Sequence, residues 1–207
     1  ELPPGIVLAA VPEREDRRDA LVSDGRNLAA LPEGARIGTS SLRRQVQLKH
    51  RFPALDVVPL RGNVDTRLGK LDAGAFDGII LAAAGLKRLG HSARITEFLE
   101  EEVMLSAIGQ GALAIVCRSA DQPTVQLLHT LDHKDTHTTV LSERSLLASL
   151  HGSCQVPIGG YARFDGDRLL LKGLIGSLDG RRIVSDTISG SAEEAEQIGS
   201  ELGRRLL

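Results

Sequence analysis

The sequence GTSSLRRQVQLKHRFPALDVVPLRGNVDTR, residues 38–67, decides the fold, because it contains two turns that each join a strand pattern to a helix pattern. The first turn begins at Gly38, where a small residue allows close backbone approach, and reaches Ser41, whose hydroxyl suits a helix N-cap. Arg43 and Arg44 follow in the first turn of the predicted helix, where positive charge opposes the helix dipole. This unfavourable placement indicates that the two guanidinium groups serve an anionic ligand.

The second turn repeats the arrangement of the first. Arg61 ends a predicted strand, Gly62 turns the chain, and Asn63 can cap a helix that carries Arg67. Successive βα turns open at one edge of a sheet, where α/β proteins bind ligands. We therefore predict a polycarboxylate or phosphate site at this edge. The alternative is a solvated basic face with ordinary helix caps.

Strand and helix patterns alternate over the first part of the chain, which indicates an α/β fold with a mixed, largely parallel sheet. The charged segment Glu13–Asp19 is predicted to cross the surface. The predicted strands here are Ile6–Val11, Asp19–Ser23, Ala35–Gly38, Leu55–Leu60, Asp77–Ala84 and Ala112–Cys117.

The pattern changes after Tyr161. Asp165-Gly166 and Asp179-Gly180 are hairpin turn signals, and Ser191 with Glu194 forms a capping box before the last helix. These signals predict a second, small α+β domain.

The composition excludes several classes of protein. With 207 residues, 42% hydrophobic and 25% charged, the chain resembles an ordinary globular protein. A net charge of −2 and an aromatic content of 2% argue against nucleic-acid binding. No apolar run approaches the roughly 20 residues of a membrane span. The two cysteines have no paired-motif spacing, which favours a reducing cytoplasm.

His129, His133 and His137 are spaced so that one continuous helix would place them on a shared face, as metal ligands are. The alternative, which we favour, is a solvated helix surface with a break near Asp132. No metal site is predicted.

Two further short motifs draw attention. Gly109 and Gly111 lack the third glycine of a dinucleotide motif and precede a predicted strand, so we interpret them as a tight turn that lets a ligand or hinge approach the backbone.

Cys117 lies within a strand pattern and is interpreted as packing. Cys154 lies in the glycine-flanked loop HGSCQVPIG, where a thiol can be alkylated.

Five segments together closely resemble hydroxymethylbilane synthase, also called porphobilinogen deaminase, in family order and spacing. They are GTSSLRRQ (38–45), LRGNVDTRL (60–68), ILAAAGLKRLG (80–90), IGQGALAIVCR (108–118) and GSCQVPIG (152–159). The resemblance implies domains like type II periplasmic binding proteins and a small C-terminal α+β domain. It assigns residues 1–14 and 106–132 to a remnant of domain 1, residues 15–105 to domain 2 and residues 133–207 to domain 3.

The resemblance also implies a transferase of tetrapyrrole (heme) biosynthesis. The family condenses four porphobilinogen molecules head to tail into hydroxymethylbilane and releases ammonia. A dipyrromethane primer held by a thioether, here to Cys154, starts the chain. Each pyrrole carries an acetate and a propionate, which planar arginine forks match in pairs of hydrogen bonds. Porphobilinogen and the growing polypyrrole are the implied partners, and a cytoplasmic monomer is expected.

Roles for individual residues follow from the same resemblance. Those expected to hold the primer are Ser41, Arg43, Arg44 and Arg67, with backbone near Leu81 and Ala82. Those expected to contact substrate or the elongating chain are Thr39, Ser40, Arg61, Asn63, Arg88 and Gln110. Gln110 and Arg118 also resemble hinge and site-edge residues.

The sequence departs from the family at its start. The family's general acid/base is an aspartate in an HS-x-KD-x-P loop, which would precede Glu1. We therefore expect no catalytic residue in this chain and no deaminase activity from it alone. We also expect the first-domain strands to expose apolar edges, so that the isolated chain aggregates or binds a hydrophobic dye.

A second hypothesis is a non-catalytic, periplasmic-type binding module for a carboxylated small molecule. The family setting of Cys154 argues against it. A third hypothesis, a nucleic-acid binder that uses these arginines, is disfavoured by the net charge and the few aromatic residues.

Overall fold

The computed structural model describes residues 2–150 and 156–207. The strands in these ranges are β1 (Ile6–Ala10), β2 (Asp19–Ser23), β3 (Arg36–Gly38), β4 (Asp56–Val58), β5 (Gly78–Ala82), β6 (Glu97–Leu99), β7 (Ile115–Arg118), β8 (Ile158–Asp165), β9 (Arg168–Gly176) and β10 (Ile183–Gly190). The α-helices are α1 (Leu42–Arg51), α2 (Val64–Asp72), α3 (Ala83–Arg88), α4 (Gln122–His129), α5 (Lys134–Ser149) and α6 (Ala195–Leu206). Of the described helices, none combines the length and apolar character that a bilayer crossing requires.

The central sheet is mixed, with the strand order β4-β3-β5-β2-β6. Strand β3 runs parallel to β4 and β5, whereas β2 is antiparallel to β5 and β6. The α/β class is as predicted, and β6 is a short strand that the sequence patterns did not indicate. The carboxyl ends of the parallel neighbours β3 and β4 lie at one edge, so the two arginine-bearing turns that follow them lie side by side.

Helices cover both faces of the central sheet. Leu21 and Ile80 pack on the face that Leu48 of α1 covers. Val22 and Ile79 belong to the cluster on the opposite face. Since both faces are buried, β2 and β5 have continuous apolar sequences and not alternating ones.

The C-terminal part is an antiparallel meander, β8-β9-β10, with α5 and α6 packed on one face. Its turns at Gly166 and Gly180 have positive φ, as the predicted Asp-Gly hairpin signals require. Ser191 and Glu194 form the predicted capping box, with Glu194 Oε2 accepting from Ser191 N at 3.0 Å. The α+β character of this part is therefore confirmed, and the domain boundaries themselves remain a prediction.

Within the described residues, strands β1 and β7 pair only with each other and form a two-stranded antiparallel ribbon. The continuous buried strand predicted over Ala112–Cys117 is wrong in its bounds, because Ala112 N donates to Gly109 O in a turn and pairing starts only at Ile115. Leu113 and Val116 are about half exposed. The apolar sequence was therefore a poor guide to burial in this ribbon.

The segment Glu13–Asp19, which connects β1 to β2, is not the solvated surface crossing that its charges predicted. Most of its side chains are half-buried, and Asp19 is fully buried. Arg14 pairs with Glu143 at 2.6 Å, and Arg17 pairs with Glu101 at 3.3 Å. The charges form ion pairs with distant elements, which local sequence does not reveal.

Two helical glycines provide a test of the packing between α5 and α6. A Cβ added at Gly199 would meet Ser142 O, and it would lie 2.6 Å from Ser145 Cβ. We expect Gly199→Ala to lower the free energy of unfolding by about 2 kcal/mol or more, because backbone cannot yield as a side chain can. Urea unfolding at equilibrium measures this change.

Gly69 in α2 is the matched control, since a Cβ there would meet nothing within 4 Å. Gly69→Ala should raise the free energy of unfolding by roughly 1 kcal/mol through helix propensity. Equal effects of the two substitutions would contradict the close α5–α6 packing.

Candidate functional site

The two arginine-bearing turns meet at the carboxyl edge of the central sheet, as predicted. Ser40 Oγ joins them, because it donates to Leu60 O at 2.9 Å and accepts from Leu60 N at 3.1 Å. Thr39 N also donates to Val58 O at 3.0 Å. The two turns are thereby held in one fixed arrangement.

The helix starts differ in how they are capped. Asn63 caps α2 as predicted, with Oδ1 accepting from Thr66 N at 2.8 Å. Ser41 occupies the N-cap position of α1, but its side chain makes no capping bond to any described residue. The predicted hydroxyl cap is therefore wrong, and Ser41 instead faces a cavity.

Arg43 and Arg44 are buried and share one carboxylate, that of Asp19. Arg43 Nη1 lies 2.7 Å from Asp19 Oδ2. Arg44 Nε and Nη2 lie 2.9 and 2.7 Å from Asp19 Oδ1. The charges at the start of α1 thus have an internal counter-ion at the first residue of β2, and their unfavourable placement at the helix start was not by itself a sign of a ligand.

Backbone carbonyls accept one further hydrogen bond from each of the two guanidinium groups. Arg43 Nη1 also donates to Leu105 O at 2.6 Å, and Arg44 Nη1 donates to Ile80 O at 3.0 Å. These bonds tie α1 to β5 and to the segment after β6. Sequence reasoning missed Asp19, and the available signal was a carboxylate at the head of an otherwise apolar strand, DALVS.

Gln110 also belongs to this cluster and is the third residue bonded to Asp19. Its Nε2 donates to Asp19 Oδ1 at 3.0 Å and to Arg17 O at 2.6 Å, while its Oε1 accepts from Arg43 Nη2 at 3.2 Å. The neighbouring Gly111 has φ +87°, and a Cβ there would lie 2.5 Å from Glu15 O. The G-x-G segment is therefore the predicted tight turn, and the group that approaches its backbone is the Glu15 carbonyl; a ligand or hinge role for it remains a prediction.

The pKa values of the cluster show its electrostatic balance. Burial raises the pKa of Asp19, but the charges and hydrogen bonds of Arg43 and Arg44 outweigh burial, so the pKa lies below its ordinary value. Burial lowers the pKa of Arg44, and the charge of Asp19 opposes that effect. Arginine side chains are not deprotonated in proteins. Two cations and one carboxylate leave a net positive charge.

The sign of the pH dependence follows from the lowered pKa of Asp19. Its ion pairs stabilise the fold above the unfolded-state pKa. This contribution is lost as the pH falls through the folded-state pKa.

A cavity of about 410 Å³ opens beside this cluster. One wall is polar and carries Arg67, and the other is apolar and comes from the segment after β6, from α5 and from the start of β8. The lining residues are Ser40, Ser41, Arg43, Arg44, Arg67, Ala107, Ile108, Leu147, Val156 and Ile158. Three arginines beside an apolar wall suit a ligand that combines carboxylates with a flat apolar body.

The cavity brings together five predicted site residues from the two turns, namely Ser40, Ser41, Arg43, Arg44 and Arg67. Others lie outside its described lining. Arg61 and Asn63 are exposed on the second turn, Thr39 is buried beneath the first, and Arg88 donates to Gly111 O at 2.9 Å. Leu81 is buried in the sheet core next to the half-buried Ala82. Roles for these residues, and for Arg118 at the end of β7, remain predictions.

Neither cysteine is part of the described site. Cys154 lies outside the described residues, but Val156 lines the cavity and follows Cys154 by two positions in the chain. Cys117 is half-buried in β7, within the ribbon.

The three histidines do not share one helix. Helix α4 ends at His129, a break follows as predicted near Asp132, and His133 is the N-cap of α5. His137 Nδ1 lies 2.9 Å from Asp132 Oδ1. Within residues 2–150 and 156–207, no three metal-ligating side chains come together.

A larger groove, of about 550 Å³, lies between α5 and a surface formed by β1 and the segment that precedes β7. Its lining is apolar except for Arg144, so it offers little to orient an anion. The arginine-lined cavity is the better candidate.

The fold and cavity define an α/β protein with an added α+β domain and an arginine-lined site suited to an anion. The chain belongs to the porphobilinogen deaminase family. Residues 1–126 match the family model described as "Porphobilinogen deaminase, dipyromethane cofactor binding domain", and residues 137–207 match "Porphobilinogen deaminase, C-terminal domain".

Relatives named porphobilinogen deaminase align with the whole chain. The protein of Syntrophotalea carbinolica is 50% identical over 207 residues, which are 100% of this chain and 66% of the relative. That of Nostoc sp. is 49% identical over 99% of this chain and 65% of the relative. That of Pelobacter propionicus is 49% identical over 100% and 67%. The chain therefore spans about two thirds of the length of these relatives.

Among solved structures, a periplasmic binding protein of Salmonella typhimurium with high arginine specificity matches 58% of this chain and 55% of its own. The TM-score is 0.37 at 16% identity. A TM-score this low carries no further argument.

The bridge between the two turns can be tested with two serines. We expect Ser40→Ala to lower the free energy of unfolding by about 1 kcal/mol, because both hydrogen bonds to Leu60 are lost. Ser41→Ala removes no capping bond and should stay within about 0.5 kcal/mol of the parent. Chemical denaturation of both variants gives the comparison, and a larger effect at Ser41 would contradict the described capping.

Proposed function

We propose that the arginine-lined cavity holds a dipyrromethane cofactor attached to Cys154, and that the protein serves the condensation of porphobilinogen to hydroxymethylbilane. The observation that carries the proposal is the convergence of three arginines and two serines on one cavity with an apolar far wall. Pyrroles that bear acetate and propionate groups have the matching combination of charge and flat apolar surface.

The described residues fit such a cofactor. Arg67 donates from Nε to Gly62 O at 2.7 Å, and its Nη atoms make no hydrogen bond to the part of the chain that the structure describes. They can therefore grip a carboxylate in a bidentate manner. Arg43 Nε is buried without a partner among the described residues, which leaves a donor unused on the same wall. Val156 on the cavity lining is two positions from Cys154.

Separate tasks follow for the residues of the site. Arg67 binds carboxylate directly, Ser40 and Ser41 offer hydroxyls, and the buried pair Arg43 and Arg44 supplies positive potential. Arg61 and Asn63 on the second turn and Arg88 at the end of α3, all three exposed, are proposed to contact porphobilinogen. When bound, the cofactor supplies the pyrrole end on which the family builds its product.

Asp19 is the carboxylate at this wall, but it is unsuited to proton transfer. It is fully buried, and its pKa is lowered because the charges of two arginines outweigh burial. A general acid/base must exchange protons with the ligand near neutral pH. We therefore propose that this chain positions the ligand and that the family's proton-transfer group is not Asp19.

The alternative of a non-catalytic binding module for a carboxylated molecule is not favoured, because the matching family model is itself a cofactor-binding domain of the deaminase. A cytoplasmic location and a monomeric state are part of the proposal. Cell fractionation tests the location, and analytical sedimentation tests the monomeric state.

The site of attachment can be tested by intact mass. We expect the protein from cells that make porphobilinogen to be heavier by two porphobilinogen units less two ammonia molecules, since ammonia leaves as each unit is joined. Cys154→Ser should lack the added mass, and Cys117→Ser should keep it. An adduct that survives Cys154→Ser, or a parent protein without one, would contradict the proposed attachment.

The carboxylate grip can be tested in a calorimeter by titrating porphobilinogen, a pyrrole with the same acetate and propionate groups as the cofactor, into protein that carries Cys154→Ser and therefore leaves the cavity free. Arg67→Lys keeps the charge but loses the planar fork, so we expect binding about tenfold weaker, near 1.4 kcal/mol. Arg51→Gln, at the far end of α1 and bonded to Glu102 O, is the control and should bind like the parent. Equal affinity with lysine at position 67 would contradict a bidentate role.

A further inference from the structure

We propose that Asp19 is the positioning residue of this anion site. Its carboxylate aligns the Arg43 and Arg44 guanidinium groups and cancels one of their two charges, so the polar wall of the cavity is formed before a ligand arrives. The identity of the ligand rests on the proposed function, but the role of Asp19 does not.

The geometry around the Asp19 carboxylate supports this role. Each oxygen of Asp19 serves a different arginine, with Oδ2 facing Arg43 and Oδ1 facing Arg44. Gln110 is the third residue that donates to Asp19, with Nε2 at 3.0 Å from Oδ1. With the Asp19 side chain fully buried and the arginine side chains 5% and 10% exposed, the carboxylate holds one fixed orientation.

The electrostatics of the arginine pair also require a nearby carboxylate. Arg43 and Arg44 are neighbours in sequence and both are buried, so without Asp19 two like charges would face each other in a medium of low dielectric constant. The two arginine side chains would then reorient toward any available anion. With Asp19 present, the bonded nitrogens already have partners, and the wall keeps one positive charge.

Discrimination between ligands follows from this arrangement. A preformed wall favours a ligand whose carboxylates match the remaining donors, whereas two unconstrained arginines favour any small anion of high charge. Removal of the Asp19 charge should therefore weaken the matched ligand and strengthen an unmatched one. A purely structural role would weaken both.

The first experiment compares Asp19→Asn with the parent chain, both carrying Cys154→Ser so that the cavity is free of cofactor, with porphobilinogen and citrate as probes in separate titrations. We expect the affinity for porphobilinogen to fall about tenfold and that for citrate to rise several-fold, because the pair then carries two uncompensated charges. A parallel fall, or no change for either probe, would overturn the proposal.

The matched control is Asp16→Asn. Asp16 lies in the same crossing segment and pairs with Arg18 and Lys87, but outside the arginine-lined cavity. This variant should leave both affinities at the parent values. If the parent chain fails to bind porphobilinogen, the proposed function fails, while the citrate titration still tests Asp19.

The second experiment uses chemical rescue and needs no binding probe. Asp19→Ala leaves a gap between the two guanidinium groups that formate can fill with a carboxylate. Sodium formate should raise the Tm of this variant more than sodium chloride of the same ionic strength does. Asp16→Ala should respond equally to the two salts.

Each outcome of the rescue decides the question. A gain specific to formate and to Asp19→Ala supports a carboxylate that aligns the arginines. Equal responses to formate and chloride, or failure of Asp19→Ala to fold even in formate, would overturn the proposal, since the added carboxylate should restore the pair.

Discussion

The buried carboxylate of Asp19, shared by Arg43 and Arg44, is the interaction on which the candidate site depends. A buried charge without a partner strongly destabilises a fold. Removal of Asp19, Arg43 or Arg44 would therefore leave an uncompensated buried charge on the remaining side chains. Through these side chains, β2 is bonded to α1, and α1 is bonded to the carbonyl groups of Ile80 and Leu105. The position of the polar cavity wall is a consequence of this cluster.

The apolar wall is held by a second buried carboxylate, Glu143 of α5. It accepts two bonds from Arg14, at 2.6 and 3.1 Å, and further bonds from Gly109 N and Ala162 N. Arg14 Nε donates to Gln110 O at 2.8 Å, and the Gln110 side chain contacts Asp19. The two walls are therefore joined through one continuous hydrogen-bonded path.

Local chemistry made part of this arrangement predictable from sequence. The Asn63 cap, the Ser191 capping box and the Asp-Gly turns depend on residues within a few positions of each other, and all three are observed. The adjacency of the two arginine-bearing turns was predictable as well, because parallel strands present their carboxyl ends at one edge.

Long-range pairing made the rest unpredictable. Asp19 precedes Arg43 by 24 positions, and Arg14 precedes Glu143 by 129, so no periodicity marks either pair. The same limit explains the error over Glu13–Asp19, where a dense run of charge is typical of solvent exposure but here meets partners from other elements.

The electrostatics of the cavity suit the orientation of an anionic ligand but do not suit proton transfer to it. Arginine cannot give up its proton at physiological pH, and Asp19 lies beneath the arginines with a pKa lowered by charges that outweigh its burial. Neither can exchange a proton with a bound ligand. The residues of this wall would therefore act on the proposed ligand through fixed charge and orientation alone, and a proton donor or acceptor for that ligand would have to approach from a different side of the cavity.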